Sequence, residues 1–478
     1  MNMEVNNPAH GSIKKELQQL LGSELYEKYS DILPLMALCQ YRFRTYRSYG
    51  SFDMAFSTEE STPALFLYRI IFYPLAFLRN IFSNASQDKK IMLSATVLKN
   101  ERYRKLIDNI DNCTVVKTNV RTDITITDNS GKVQFIPSQL SDKEKRYFSG
   151  YSVTGAKLKK SVSAWFEFLT DNLTIDSSEI SDKTKADYLL GVMRKTFYER
   201  TKKAEKELRR SGISLYITVN QYNIRDLILI TACRHLGIKT KQLEHHASRF
   251  MHNTADEETI FRFCFVDDIC CWSQSEVDFH TDVYMYECYD DRLIPEIYSV
   301  GNPEILFEDA VSASQKYPVQ NRVTFMVSGI LNARNEFAMK KQLELRNEIF
   351  HNLKRLSDST GVKILVRYPP GIDTDLRKKE ENLLTEMGFE ISPSDRNSLL
   401  SDICGSRAIF GTISSVLGLA ALMGKNVYQV TSDNENYYIT DHNIYSVTPE
   451  EIPQCNLSFS DNGIIRSDFI NYSRLIFN

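Results

Sequence analysis

Apolar positions change their period along the chain, and the changes divide it. Over Ile13 to Leu21 and Leu25 to Tyr41 they recur at helical spacing, which predicts an opening helical stretch. From Lys90 the pattern shifts to short β-rich runs, IMLSATVL at 91–98 and CTVVKTNV at 113–120, which begin a sheet. Asp123 to Arg146 is polar and turn-rich, and helices are predicted over Lys157–Leu173 and Lys183–Arg210, the second densely charged along a solvated face and ending at Gly212.

Strand and helix then alternate as a doubly wound parallel sheet requires. SLYITVNQ (214–221) reads as a strand, IRDLILITACRHLG as a helix capped by Asn223, KTKQLEHH (239–246) as a strand and Phe261–Trp272 as another. A helix around Glu276–Tyr286 leads to a last strand, EIYSVGNP (296–303). Ser312 to Asn321 is polar, contains Pro318 and suits a linker. A second series follows: RVTFMVSG (322–329), a long helix from Asn335 to Ser359, VKILVRYPP (362–370), a helix through Leu384 and FEIS (389–392). It closes on SRAIFGTISSVLGLAALMGKNVYQVT (406–431), a complete βαβ unit. Two Rossmann-like halves facing one another form the simplest architecture.

That last unit carries the first candidate chemistry. Its strand ends at Gly411, and Thr412, Ser414 and Ser415 crowd hydroxyls at the start of an almost wholly apolar helix. Such a turn collects unpaired backbone N–H groups at the positive end of a helix, which suits a phosphate or another anion. An ordinary N-capped turn has the same residue types.

Composition narrows the class. The chain has 478 residues, more than one core usually organises, and is 42% hydrophobic and 25% charged, as befits a globular protein. Its formal net charge of -3 gives no basic excess for nucleic acid. Nine scattered cysteines, an odd number without zinc-type spacing, read as reduced cytosolic thiols. No signal peptide is evident at the N-terminus. Ala64 to Phe82 (ALFLYRIIFYPLAFLRNIF) is membrane-like, but Arg69, Arg79 and Pro74 interrupt it, leaving a buried helix pair or an interfacial helix as the alternatives. Asp267-Asp268 and the lone His280 give no metal-ligand spacing, so no metal is expected. No dinucleotide fingerprint, P-loop or nucleophile elbow occurs either.

From Ser214 to Thr431 the order of features resembles the GT-B glycosyltransferases of bacterial surface-polysaccharide synthesis, including capsule, lipopolysaccharide and teichoic-acid-type enzymes. The pieces that carry the likeness are Glu244-His245-His246, Trp272-Ser273-Gln274, Val300-Gly301-Asn302-Pro303, Ser328-Gly329, Arg367-Tyr368-Pro369-Pro370 and Thr412 to Lys425. Two positions depart from the pattern: Tyr368 stands where relatives have the His of His-Pro, and Leu419 where many carry a ribose-binding Glu.

The resemblance implies a GT-B fold: a helical extension (1–85), a Rossmann-like acceptor domain (86–311), a Rossmann-like nucleotide-sugar domain (312–463) and a C-terminal segment (464–478) packing back on the first domain. It implies metal-independent transfer of a sugar from a nucleotide donor to a growing surface glycan. An epimerase or polyol-phosphate transferase of the same fold, or a non-catalytic assembly subunit, are the alternatives. No cofactor is expected beyond the nucleotide-sugar co-substrate. The partners would be that donor and a glycan or lipid-linked acceptor, met in the cytoplasm, with peripheral membrane contact through 64–82. On the donor side Ser328, Gly329, Arg367, Thr412, Ser414 and Ser415 would meet phosphate. His245 or His246 would accept the proton of the acceptor hydroxyl, since an imidazole near its ordinary pKa of about 6.5 suits that task.

Overall fold

The computed structural model of the protein describes residues 13–39, 89–94, 113–116, 132–133, 153–154, 182–221, 224–244, 250–252, 261–282, 285–288, 295–303, 305–327, 336–369, 374–393, 395–412, 414–431, 436–438, 443–458, 463–464, 469–471 and 475. The membrane-like stretch 64–82 and the helix expected over 157–173 lie outside them. Among the described residues no helix is long and apolar enough to cross a membrane.

Two six-stranded parallel sheets dominate. The first is built from β1 (Lys89–Leu93), β2 (Cys113–Val116), β5 (Leu215–Thr218), β6 (Lys239–Leu243), β9 (Asp268–Cys271) and β11 (Glu296–Ser299), in the order β11-β9-β6-β5-β1-β2. Two short pairs accompany it: β3 (Lys132–Val133) with β4 (Val153–Thr154), and β8 (Phe261–Cys264) with β10 (Met285–Cys288). The second sheet has β12 (Arg322–Met326), β13 (Lys363–Arg367), β14 (Glu390–Ile391), β15 (Ala408–Gly411), β16 (Asn426–Val430) and β18 (Ile444–Val447), ordered β14-β13-β12-β15-β16-β18. Parallel strands must be joined by crossovers, and both faces of such a sheet are normally covered. Accordingly the strands read as near-continuous buried runs, such as Leu215–Thr218 and Ala408–Gly411.

The helices are α1 (Ile13–Lys28), α2 (Asp182–Ser211), α3 (Ile224–His235), α4 (Gln274–Asp282), α5 (Phe307–Lys316), α6 (Glu336–Thr360), α7 (Thr374–Glu386), α8 (Arg396–Cys404) and α9 (Ser415–Leu422). α1 presents Leu17, Leu21 and Leu25, four residues apart and all buried, to a core shared with Leu190, Met193 and Phe197 of α2. Lys28–Asp187 (2.6 Å) and Arg194–Asp31 (2.7 Å) pin the same helix pair from outside. That core also takes Met92 of β1 and Tyr216 of β5, so the opening helices and the first sheet share one interior.

Several elements differ from the periodicity reading, among them the helix expected around Glu276–Tyr286, which ends at Asp282 and is followed by β10 at Met285. Phe261–Trp272, expected as one strand, is two, β8 and β9. The chain turns between them because the Gln221 carboxamide oxygen takes the Phe265 N–H at 2.6 Å and the Thr240 carbonyl takes that of Asp267 at 3.1 Å. Ser312–Asn321, expected as a linker, begins inside α5, whose Ala310 and Ala313 are buried against the second sheet's helices. α8 fills a stretch that carried no assignment.

The chain's end returns to the first sheet. Phe469 bridges Asn302, the Ile470 N–H bonds the Asn302 carbonyl (3.2 Å), and the Asn471 N–H bonds that of Val300 (2.6 Å). Leu475 is fully buried in a cluster with Ile91, Leu93, Leu215 and Ile217, on the face opposite the α2–α3 core.

Candidate functional site

In a doubly wound sheet a ligand sits outside the carboxyl ends of the strands where the strand order reverses. Each sheet has one such point. In the first, the chain runs β1 to β2 one way and β5, β6, β9, β11 the other, so the reversal lies between β1 and β5. In the second it runs β12, β13, β14 one way and β15, β16, β18 the other, so the reversal lies between β12 and β15.

At the second reversal the register aligns Met326 of β12 with Gly411 of β15 on one side and with Arg367 of β13 on the other. The segments carrying Ser328-Gly329, Arg367 and Thr412-Ser415 therefore leave neighbouring strands at one edge. Ser328 and Gly329 themselves lie outside the described residues. Gly411 allows the close approach here: a Cβ on it would stand 2.9 Å from the Met326 carbonyl oxygen.

Ser414 is the N-cap of α9. Its backbone is extended, its hydroxyl accepts from the Val416 N–H and its carbonyl from the Leu417 N–H (3.0 Å). Ser415 is the first helical residue. Thr412 precedes them with a hydroxyl oxygen that is occluded and has no hydrogen-bond partner among the described residues. An unsatisfied buried hydroxyl costs about 1–3 kcal/mol, and this one lies at the positive end of a helix that has no acidic residue in its first turn.

Arg367, expected at the phosphate, is instead taken up inside its domain. Nη1 reaches the Asp402 carboxylate at 2.7 Å and the hydroxyl oxygens of Ser398 at 2.7 Å and Ser392 at 3.1 Å, and Nη2 donates to the Asp395 carbonyl. The guanidinium thereby ties the end of β13 to β14 and to the start of α8. Strand parity explains its neighbour: Ile364, Val366 and Tyr368 share a face, and Tyr368 follows the other two into the apolar core. Its hydroxyl donates to Glu380 (3.1 Å), which Arg346 holds through two bonds of 2.9 and 2.8 Å. Leu419 is likewise buried, among Ile403, Leu417 and Met423. Lys425, the last residue of the helix motif, spends its ammonium on the carbonyls of Cys404 (2.7 Å) and Ser406 (3.0 Å), closing α8.

At the first sheet's edge, His245 and His246 lie outside the described residues, but Glu244, which precedes them, is described. Glu244, at the end of β6, is buried; its carboxylate accepts from the Gln242 amide (2.8 Å) and its carbonyl from the Trp272 indole N–H (2.9 Å). Gln221, at the reversal beyond β5, is wholly buried. Its carboxamide oxygen is held by the Phe265 N–H, so its Nε2 must point the other way, where it meets no acceptor among the described residues. Gln221, Glu244 and Trp272 had no assigned role in the sequence reading. The signal that finds them is strand order, which depends on pairing and not on local periodicity.

Among the described residues no group of three or more His, Cys, Asp or Glu is placed to hold a metal. Asp267 accepts from the Thr240 N–H and hydroxyl (2.8 and 2.7 Å), and Asp268 pairs with Lys239 (3.0 Å) and Lys241 (3.3 Å). Cys39, Cys233, Cys264, Cys270, Cys271, Cys404 and Cys455 are free thiols, and burial pushes the Cys270 thiol up to about 12, which keeps it from acting as a nucleophile at neutral pH.

Two doubly wound parallel α/β sheets, each with its own order reversal, define an α/β protein of two Rossmann-like domains. No family model and no curated protein matches the chain. Solved structures resemble it distantly. The UDP-GlcNAc 2-epimerase of Methanocaldococcus jannaschii is 11% identical with a TM-score of 0.42, covering 82% of this chain and 99% of that one. The S. aureus MnaA–UDP co-structure is 11% identical with a TM-score of 0.39, covering 77% and 86%. Acinetobacter baumannii MurG is 10% identical with a TM-score of 0.35, covering 77% and 89%. Likenesses this slight carry no argument about activity.

Proposed function

We propose that the protein is an enzyme acting on a nucleotide sugar, and specifically a metal-independent glycosyltransferase that passes the sugar to a glycan acceptor. The observation that supports it is the β15–α9 turn at the second sheet's reversal, where a Thr412 hydroxyl with no partner among the described residues lies at the positive end of α9. That arrangement suits a diphosphate, whose charge the helix end favours and whose oxygens accept hydrogen bonds. The first sheet's reversal would then receive the sugar and acceptor, with Gln221 Nε2 as a donor to a hydroxyl. His245 or His246, which follow Glu244 in sequence, would take the acceptor's proton as the new bond forms at the anomeric carbon and the nucleoside diphosphate leaves.

Two measurements test this. First, donor is incubated with and without acceptor: acceptor-dependent release of nucleotide supports transfer, conversion of the donor without acceptor means epimerisation, and no change in either is the result expected of a scaffold. Alanine at the true base is expected to lower the rate by about 10²–10⁴-fold while leaving donor affinity nearly intact.

Second, Thr412→Val separates ligand contact from structural capping. Losing a hydrogen bond to a charged group should weaken nucleotide diphosphate binding by about 1.5–3 kcal/mol. The free protein should melt at the same temperature or higher, since the unpaired hydroxyl is removed from a buried place. Titration calorimetry with a panel of nucleoside diphosphates reads the first effect, and a thermal melt without ligand reads the second. A lower melting temperature with unchanged affinity would assign Thr412 to the fold alone.

A further inference from the structure

The two site edges are joined to each other. β7 (Phe250–His252) follows β6 in the first domain, and β17 (Asn436–Tyr438) follows β16 in the second. They pair antiparallel, Phe250 opposite Tyr438, Met251 opposite Tyr437 and His252 opposite Asn436. Each arm leaves the carboxyl end of a strand that lies one strand away from an order reversal. β6 is followed in sequence by His245 and His246, and β16 lies next to β15, with Gln429 opposite Gly411. From Leu243 to Phe250 is seven residue steps and from Val430 to Asn436 six, so the arms span at most about 25 and 22 Å. While β7 and β17 are paired, these two edges are tethered over the space between the sheets.

Three residues a side make a weak joint, because an isolated two-stranded pair is at best marginally stable in water. The composition of the arms agrees with a reversible contact: 245–252 (HHASRFMH) holds Arg249 and three histidines and no acid, and 432–438 (SDNENYY) holds Asp433 and Glu435 and no base. We propose that the β7–β17 pair is a latch across the two domains, formed when the site is closed and parted when nucleotide enters or leaves. As a gate on nucleotide the proposal rests on the function given above; as a joint that opens, it rests on the pairing alone.

Paired cysteines test it. Directly opposite residues in an antiparallel ladder alternate between hydrogen-bonded and non-hydrogen-bonded sites, whose Cα separations are about 5.5 and 4.5 Å, and both lie within reach of a disulfide. Met251→Cys/Tyr437→Cys and His252→Cys/Asn436→Cys are neighbouring pairs, so one of them occupies each kind of site. Both are oxidised with glutathione disulfide, which takes up the two electrons and protons of the thiols, beside wild-type protein that controls for the native cysteines. At least one pair is expected to cross-link readily and reversibly. Release of fluorescently labelled UDP from the oxidised form should slow at least tenfold and recover on reduction. Equal release from both forms would overturn the gate, and failure of both pairs to cross-link would overturn the contact.

If neither labelled UDP nor any nucleoside diphosphate of the calorimetric panel binds either form, the nucleotide reading falls and amide hydrogen exchange decides the latch on its own. Exchange at 250–252 and 436–438 should then be at least a hundredfold faster than in β5 and β15, equal at the two segments, and slowed at both by the cross-link. Independent exchange at the two segments, or protection equal to that of the sheets, would overturn it.

Discussion

Gly301→Ala is expected to cost about 3 kcal/mol or more of folding stability, although the change adds a single methyl group. The residue holds φ +84°, in the region that L side chains avoid, and its Cβ would lie 2.2 Å from the carbonyl oxygen of Phe469 and 2.4 Å from its carbonyl carbon. The backbone term alone is of order 1–3 kcal/mol, and overpacking in a filled interior adds about 1–3. Because the obstructing atoms are main chain, relief requires moving the returning C-terminal segment. That would loosen the Ile470–Asn302 and Asn471–Val300 bonds and draw on the burial of Leu475. Gly301→Asn separates the causes, since asparagine tolerates a left-handed backbone better than alanine and brings the same Cβ. Urea melts of both variants should show comparable losses if the crossing dominates. Stability of the asparagine variant within about 0.5 kcal/mol of wild type would mean that the tail does not press on Gly301 in solution.

The same residue shows what the sequence holds and what it leaves open. Val300-Gly301-Asn302-Pro303 stands out in the chain, yet its partner is a main-chain segment more than 160 residues later, which no local pattern discloses. The alternation of apolar strands and amphipathic helices was enough for two parallel sheets, because buried parallel strands must be apolar on both faces and each must be followed by a crossover. Where a local pattern was ambiguous, a distant polar group decided it. The apolar run 261–272 broke into β8 and β9 because the Gln221 carboxamide and the Thr240 carbonyl intercept its N–H groups. Tyr368 was readable in hindsight from strand parity with Ile364 and Val366, and its burial explains why a tyrosine stands where a ligand-facing histidine was expected. At the candidate site, the Thr412–Ser415 turn was visible from the sequence through its hydroxyls and the apolar helix behind it. Gln221 and Glu244 were not, because a buried amide or carboxylate beside an order reversal looks in sequence like any other polar residue ending a strand.

Arg367→Ala is expected to destabilise the second domain by about 3–5 kcal/mol, the range for removing one partner of a buried ion pair. Side chains of Arg367 and Asp402 are only 8% and 7% exposed and meet at 2.7 Å, so the alanine variant leaves a carboxylate out of water with the Ser392 hydroxyl (2.6 Å) and the more distant Arg322 guanidinium (3.9 Å). It also frees the Asp395 carbonyl and the Ser398 hydroxyl at the start of α8, which are otherwise held to the end of β13. Had the guanidinium served a phosphate, the free protein would keep its stability and nucleotide affinity would fall by roughly 1.5–3 kcal/mol. The two roles thus differ in which measurement moves. A double-mutant cycle with Asp402→Ala refines the test: once the carboxylate is gone, removing the arginine should cost far less than in wild type, giving a coupling of roughly 2–3 kcal/mol for residues in one network. Denaturant midpoints of the four proteins supply the cycle, and calorimetry with nucleoside diphosphates supplies the affinities. Additive losses in stability, or a fall in affinity without a loss of stability, would return Arg367 to the ligand and leave the contact with Asp402 a minor one.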